Sequence, residues 1–172
     1  HGLFDEARYF AQGERIRAFD TRFGRVGMLV CRDFWHLGPA YVLASQDMDV
    51  LCVASASPGR GTLGEDGRFQ STASVSLLGD VYARSFGIHV LHTNRVGVED
   101  GVTFTGASEA FGPFGERIAQ AADLDPDLVI VGVDANARRL ARVRMPSLRE
   151  ERPHLILREL QRALPERTSA PF

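Results

Sequence analysis

The sequence predicts an α/β fold, and three observations carry that prediction. Short apolar runs alternate with stretches in which apolar residues recur at helical spacing. Gly, Pro and Asp clusters separate the two kinds of segment. The apolar runs are continuous rather than alternating, as in parallel strands covered on both faces. At 172 residues, 44% hydrophobic and 24% charged, the chain holds enough material for one domain, residues 1–172, with a real core. A disordered tail and a fibre are excluded.

The elements follow in order. Residues 25–31 (Arg-Val-Gly-Met-Leu-Val-Cys) read as the first strand, ending on Cys31. Leu37, Ala40, Tyr41, Ala44 and Met48 then keep helical spacing, and residues 50–54 form a second buried strand running into Ser55-Ala56-Ser57-Pro58-Gly59. Together they make one βαβ unit, whose crossover should be right-handed. Residues 58–68 are Gly-rich and read as a long loop, a class of segment that is often functional. Val75, Leu78 and Tyr82 mark a second helix, and residues 88–94 a third strand, closing a second βαβ unit. From Thr103 to Ala122 two strands are expected around the turn Gly112-Pro113-Phe114-Gly115. Residues 128–134 read as the last strand. A helical tail follows through Leu140 and Val143, breaks at Pro146, and resumes through Leu157, Leu160 and Leu164.

Charge and composition remove several classes of function. A net charge of −2 with both signs interspersed offers no field for nucleic acid or an anionic membrane. No run approaches the roughly 20 apolar residues of a membrane span, and the amino end lacks a signal-peptide pattern, so a cytoplasmic protein is expected. Cys31 and Cys52 match neither a disulfide scaffold nor metal-ligand spacing. No metal or organic cofactor is implied by any motif. All 20 residues counted as Lys+Arg are arginine. The chain opens on His1 without an initiator methionine and reads as a piece of something longer.

Cys31 is the leading candidate for chemistry, because open α/β sheets place their ligand crevices at the carboxyl ends of strands. Arg32, Asp33, Trp35 and His36 follow it directly, more polar and aromatic groups than a structural turn requires. Cys52, between Leu51 and Val53, reads as a packed thiol. An ordinary thiol, with a pKa of about 8.5, needs activation to act at neutral pH. The candidate bases are Glu6, Asp33, Glu99, Glu109 and the histidines at 1, 36, 89, 92 and 154. His89 and His92 lie three apart on one strand and so on opposite faces, which removes them as a joint site. A Cys31–His36 pair remains open.

Beside this reading, the chain resembles the nitrilase or carbon-nitrogen hydrolase superfamily. The resemblance runs through Phe4-Asp5-Glu6-Ala7-Arg8-Tyr9-Phe10 with Gly13, then residues 24–33 ending in Cys31-Arg32-Asp33, then Ser55-Ala56-Ser57-Pro58. It continues through Asn94-Arg95-Val96-Gly97 and Thr105-Gly106-Ala107-Ser108 to Pro113-Phe114-Gly115-Glu116. The run at residues 4–10 also resembles the glutaminase domain of glutamine-dependent NAD synthetases.

That family uses a Glu-Lys-Cys triad, and Cys31 matches its nucleophile. The resemblance implies attack on an amide or nitrile carbon, a thioester acyl-enzyme, release of ammonia or an amine, and hydrolysis. It gives the Arg32 N–H part of an oxyanion hole, makes Glu6 a second glutamate that assists proton transfer or positions groups, and leaves Trp35, His36, Ser57 and the following loop as pocket walls. Hydrolysis of a small amide, with glutamine-like substrates included, is the expected reaction. The family's lysine and base glutamate are not found, so the chain reads as the carboxyl-side portion of a four-layer α-β-β-α sandwich. A homo-oligomer is expected by analogy. The alternative is a non-catalytic binding or assembly module on the same fold, which the absence of lysine favours.

Overall fold

A computed structural model describes residues 8–64 and 67–164. Six strands make one sheet in the order β1 (Phe19–Thr21), β2 (Gly24–Val30), β3 (Val50–Ser55), β4 (His89–Asn94), β7 (Glu109–Phe111) and β8 (Arg117–Gln120). Strands β2, β3 and β4 are parallel, and the outer pairings are antiparallel. Helix α1 (Leu37–Ala44) joins β2 to β3, and α2 (Gln70–Phe86) joins β3 to β4. These are the two βαβ units that the apolar runs predict. Helix α2 stops where Gly87 takes a left-handed φ of 59°, a conformation a side chain resists.

Both helices lie on one face of the sheet, and the core forms between them. Leu29, Leu51, Val53 and Val90 from the strands pack with Ala40, Leu43 and Ala44 of α1 and with Val75, Tyr82 and Ala83 of α2. The opposite face is open at β2, while at β4 it is partly covered, since His89 there is 2% exposed and accepts the Asp134 N–H. Met28, Cys52 and Leu91 stand in register across β2, β3 and β4, as do Val30, Ala54 and Thr93. Met28 and Val30 are 55% and 57% exposed. The continuous apolar run of β2 predicts cover on both faces, and among the described residues only one face receives it.

Three further departures have physical causes. Strand β5 (Val96–Glu99) and β6 (Val102–Thr105) form a separate two-stranded sheet, so the region from Thr103 to Ala122 holds the end of one hairpin and the whole of another. Its turn is Asp100-Gly101, both at positive φ (49° and 76°), which is what a tight hairpin loop requires. Strand β1 is an unpredicted edge, formed because the Thr21 hydroxyl closes the turn on the Gly24 carbonyl at 2.7 Å. Residues 128–134 are not a strand. The run is continuously apolar like a buried strand, but among the described residues no ladder takes it up, and Leu128 and Ile130 are 83% and 88% exposed.

The tail breaks at Pro146 as predicted, giving α3 (Ala135–Arg144), α4 (Ser147–Glu150) and α5 (Pro153–Ala163). Asp134 caps α3 by accepting the Asn136 N–H at 2.7 Å. Arg138 pairs with Asp49, and Arg142 with Asp47 and the Met48 carbonyl, which fastens α3 beside the start of β3. No helix among the described residues is long and apolar enough to cross a membrane.

Candidate active site

The carboxyl ends of β2, β3 and β4 deliver three chain segments to one place. Cys31 follows the last residue of β2 and opens a 3-10 turn, Cys31–Trp35, with its own φ at +43°. A cysteine in the left-handed region is unfavourable, so the turn must be held from outside. Two contacts hold it. The Asp33 carboxylate accepts the Val30 N–H at 3.3 Å. Phe34, 1% exposed, inserts into the core edge-on to Tyr82 at 5.2 Å and stacked on His92 at 5.7 Å. The Tyr82 hydroxyl lies within hydrogen-bond reach of the carbonyls of Phe34 (3.0 Å) and His36 (3.3 Å), tying both ends of the turn's exit to α2.

The second segment leaves β3. Ser57 places its hydroxyl 3.9 Å from the Cys31 sulfur, at the outer limit of a hydrogen bond to sulfur. Its N–H donates to Asn94 Oδ1 at 2.8 Å, at the end of β4. Cys31, read from its strand end, and Ser57, implied by the resemblance, are thus brought together. Arg32, Trp35 and His36 are exposed along the turn, and the His36 ring makes no hydrogen bond among the described residues. The Cys31–His36 pairing is therefore absent from this arrangement. Glu6 lies outside the described residues, as does His1.

The remaining candidate bases are engaged elsewhere or stand apart. Asp33 caps its own turn, and Glu99 pairs with Arg95 at 2.5 Å. Glu109 is buried on the helix-covered side, accepting from Arg117 at 2.8 Å and from the Ser76 hydroxyl, with Arg68 at 3.5 Å. His89 Nε2 accepts the Asp134 N–H, and His92 Nε2 meets the Ser55 hydroxyl at 3.1 Å. Burial holds both imidazoles below their ordinary range, His92 at about 4, against the opposing pull of nearby carboxylates. Neither is a base for Cys31. Cys52 sits in β3, where burial pushes its thiol up. Sequence reasoning missed Phe34, Tyr82 and the contact role of Asn94; a buried aromatic directly after the candidate nucleophile was the available signal for the first.

Comparisons with known proteins identify the family. The profile of the carbon-nitrogen hydrolase family matches residues 1–143. The glutamine-dependent NAD(+) synthetase of Acinetobacter baylyi is 27% identical over 143 residues, covering 83% of this chain and 25% of the synthetase. The N-carbamoylputrescine amidase of Solanum lycopersicum is 26% identical over 161 residues, covering 88% of this chain and 53% of the amidase. A carbon-nitrogen hydrolase from Helicobacter pylori G27 superposes with a TM-score of 0.81 at 25% identity, covering 94% of this chain and 57% of that structure. The chain spans from a quarter to just over half the length of these relatives. With the family profile matched over most of its length, the chain belongs to the carbon-nitrogen hydrolase family.

Proposed function

We propose that this chain carries the nucleophile of an amidase. The observation that supports it is Cys31 itself: a cysteine in a left-handed turn, at the carboxyl end of a parallel strand, with a serine hydroxyl facing its sulfur. The sulfur attacks the carbonyl carbon of a small amide, and the C–N bond breaks as the nitrogen takes a proton and leaves as ammonia or an amine. Water then adds to the thioester, releasing the acid and restoring the thiol. The N–H of Arg32 lies in the first turn, whose amides have no acceptor within the turn, and stabilises the oxyanion. Ser57, Trp35, His36 and the loop after Ser57 wall the acyl pocket, and Glu6 assists proton transfer. The family's lysine has no counterpart among these 172 residues, so it is supplied from outside them. The synthetase and amidase relatives favour glutamine or a carbamoyl amide as substrate. The working form we propose is a cytoplasmic homo-oligomer in which residues 1–172 belong to one hydrolase domain.

Iodoacetamide labelling tests the nucleophile directly. Cys31 is expected to alkylate at least about tenfold faster than Cys52, whose thiol desolvation pushes up, as a reactive thiol does beside a structural one. Ammonia release by a polypeptide that includes the lysine should vanish in Cys31→Ala. Equal, slow labelling of both cysteines would favour the second reading, a binding module on the same fold, to which the absence of lysine also points.

A further inference from the structure

The ladder between β3 and β4 ends at the pair Ser55 and Asn94, with the Arg95 N–H donating to the Ser55 carbonyl at 2.9 Å. Beyond that pair the β3 chain leaves the sheet, and among the described residues Ala56 and Ser57 pair with no strand until Pro58 bridges Phe104 and the Gly59 N–H donates to the Thr103 carbonyl at 2.9 Å. Across that gap the ladder is replaced by the Asn94 side chain. Its Oδ1 accepts the Ser57 N–H at 2.8 Å, while its Nδ2 lies 3.5 Å from the Ser57 carbonyl and donates to the Gly106 carbonyl at 2.9 Å. Its backbone N–H donates to the Ser108 hydroxyl at 2.9 Å.

Every polar atom of the carboxamide is used, in the one orientation that suits an N–H on one side and two carbonyls on the other. Gly106 allows this approach because it turns at φ +61°, and a Cβ there would stand 3.2 Å from the Ala122 carbonyl. No other common side chain fits all three demands. Aspartate loses both donors, leucine loses every bond, and glutamine adds a methylene to the reach.

We propose that Asn94 is a positioning residue of this site: by gripping both the N–H and the carbonyl of Ser57, it fixes the Ser57 hydroxyl against the Cys31 sulfur. Asn94 touches no reacting atom and acts through Ser57. The inference rests on the reading of Cys31 as nucleophile.

The test is a double-mutant cycle read by iodoacetamide alkylation of Cys31, with Cys52 as internal reference, in the intact chain. Asn94→Ala and Ser57→Ala should each slow Cys31 about fivefold, the effect of one ordinary hydrogen bond, and the double variant should be no slower than either. The Cys52 rate should stay unchanged. A merely structural role predicts instead that the two effects multiply, or that both thiols change together; either result overturns the proposal, as does an Asn94→Ala rate within twofold of the parent. If Asn94→Ala does not fold, Asn94→Ser makes the same comparison, since its hydroxyl is too short to span both groups. The parent chain separates the two readings. Equal labelling of Cys31 and Cys52 there sinks the nucleophile, whereas selective labelling that Asn94→Ala leaves unchanged sinks only the role of Asn94.

Discussion

His92 is 4% exposed, with Nε2 on the Ser55 hydroxyl and Nδ1 buried without a partner. Such an imidazole is held neutral, because burial costs the charged form more than the nearby Glu109 carboxylate returns. Its folded pKa of about 4 lies below the unfolded value of 6.5, so the unfolded chain binds the extra proton first. Stability from this residue is therefore complete above pH 6.5 and lost as the pH falls toward 4. Urea unfolding at pH 7 and pH 4.5 should differ by about 2 kcal/mol through His92, with a smaller share from His89, and His92→Leu should remove most of the difference. At this scale the sequence places Cys31 at a strand end, which is visible in an apolar run, and the resemblance adds Ser57, whose hydroxyl lies 3.9 Å from the sulfur. The sequence does not show the contacts of Asn94 or Tyr82, whose partners stand 37 and 48 residues away.

Helix α2 lies over the sheet at Gly79, where an added Cβ would stand 2.4 Å from the Phe111 ring. Two effects oppose each other in Gly79→Ala. Alanine gains up to about 1 kcal/mol of helix propensity, and overpacking a closed contact costs about 1–3 kcal/mol. Overpacking should win, so calorimetry is expected to show a lower Tm for the variant despite its better helix former. The parallel strands and both crossover helices were legible, since each writes its own period into the chain. The β5–β6 hairpin is legible in principle from Asp100-Gly101, the turn pair between two four-residue strands. Residues 128–134 carry a strand's apolar run without a ladder among the described residues, and pairing is a property of two segments that one segment's pattern cannot report.

Across the whole molecule, Glu109 joins parts that are distant in sequence. Its buried carboxylate meets Ser76 of α2, Arg117 of β8 and Arg68 of the loop that begins at Ser57, and Arg68 continues to Asp123 through two bonds of 3.1 Å. Removing the charge leaves guanidinium groups with one acceptor fewer. Glu109→Ala should cost about 3 kcal/mol in urea unfolding, the lower end for a broken buried pair because Arg117 is half-exposed. Period gives the strands and crossover helices, whereas the layering is implied only by the resemblance to a four-layer sandwich, a portion of which leaves a sheet face uncovered.

The left-handed turn at Cys31 sets chemistry and endurance against each other. A glycine there would sit about 1 kcal/mol lower in backbone energy and make the molecule harder to melt, yet it would carry no sulfur. With Cys31 in its proposed role, the fold is strained at the residue that carries its chemistry, and the buried Phe34 and Tyr82 beside the turn offset that strain.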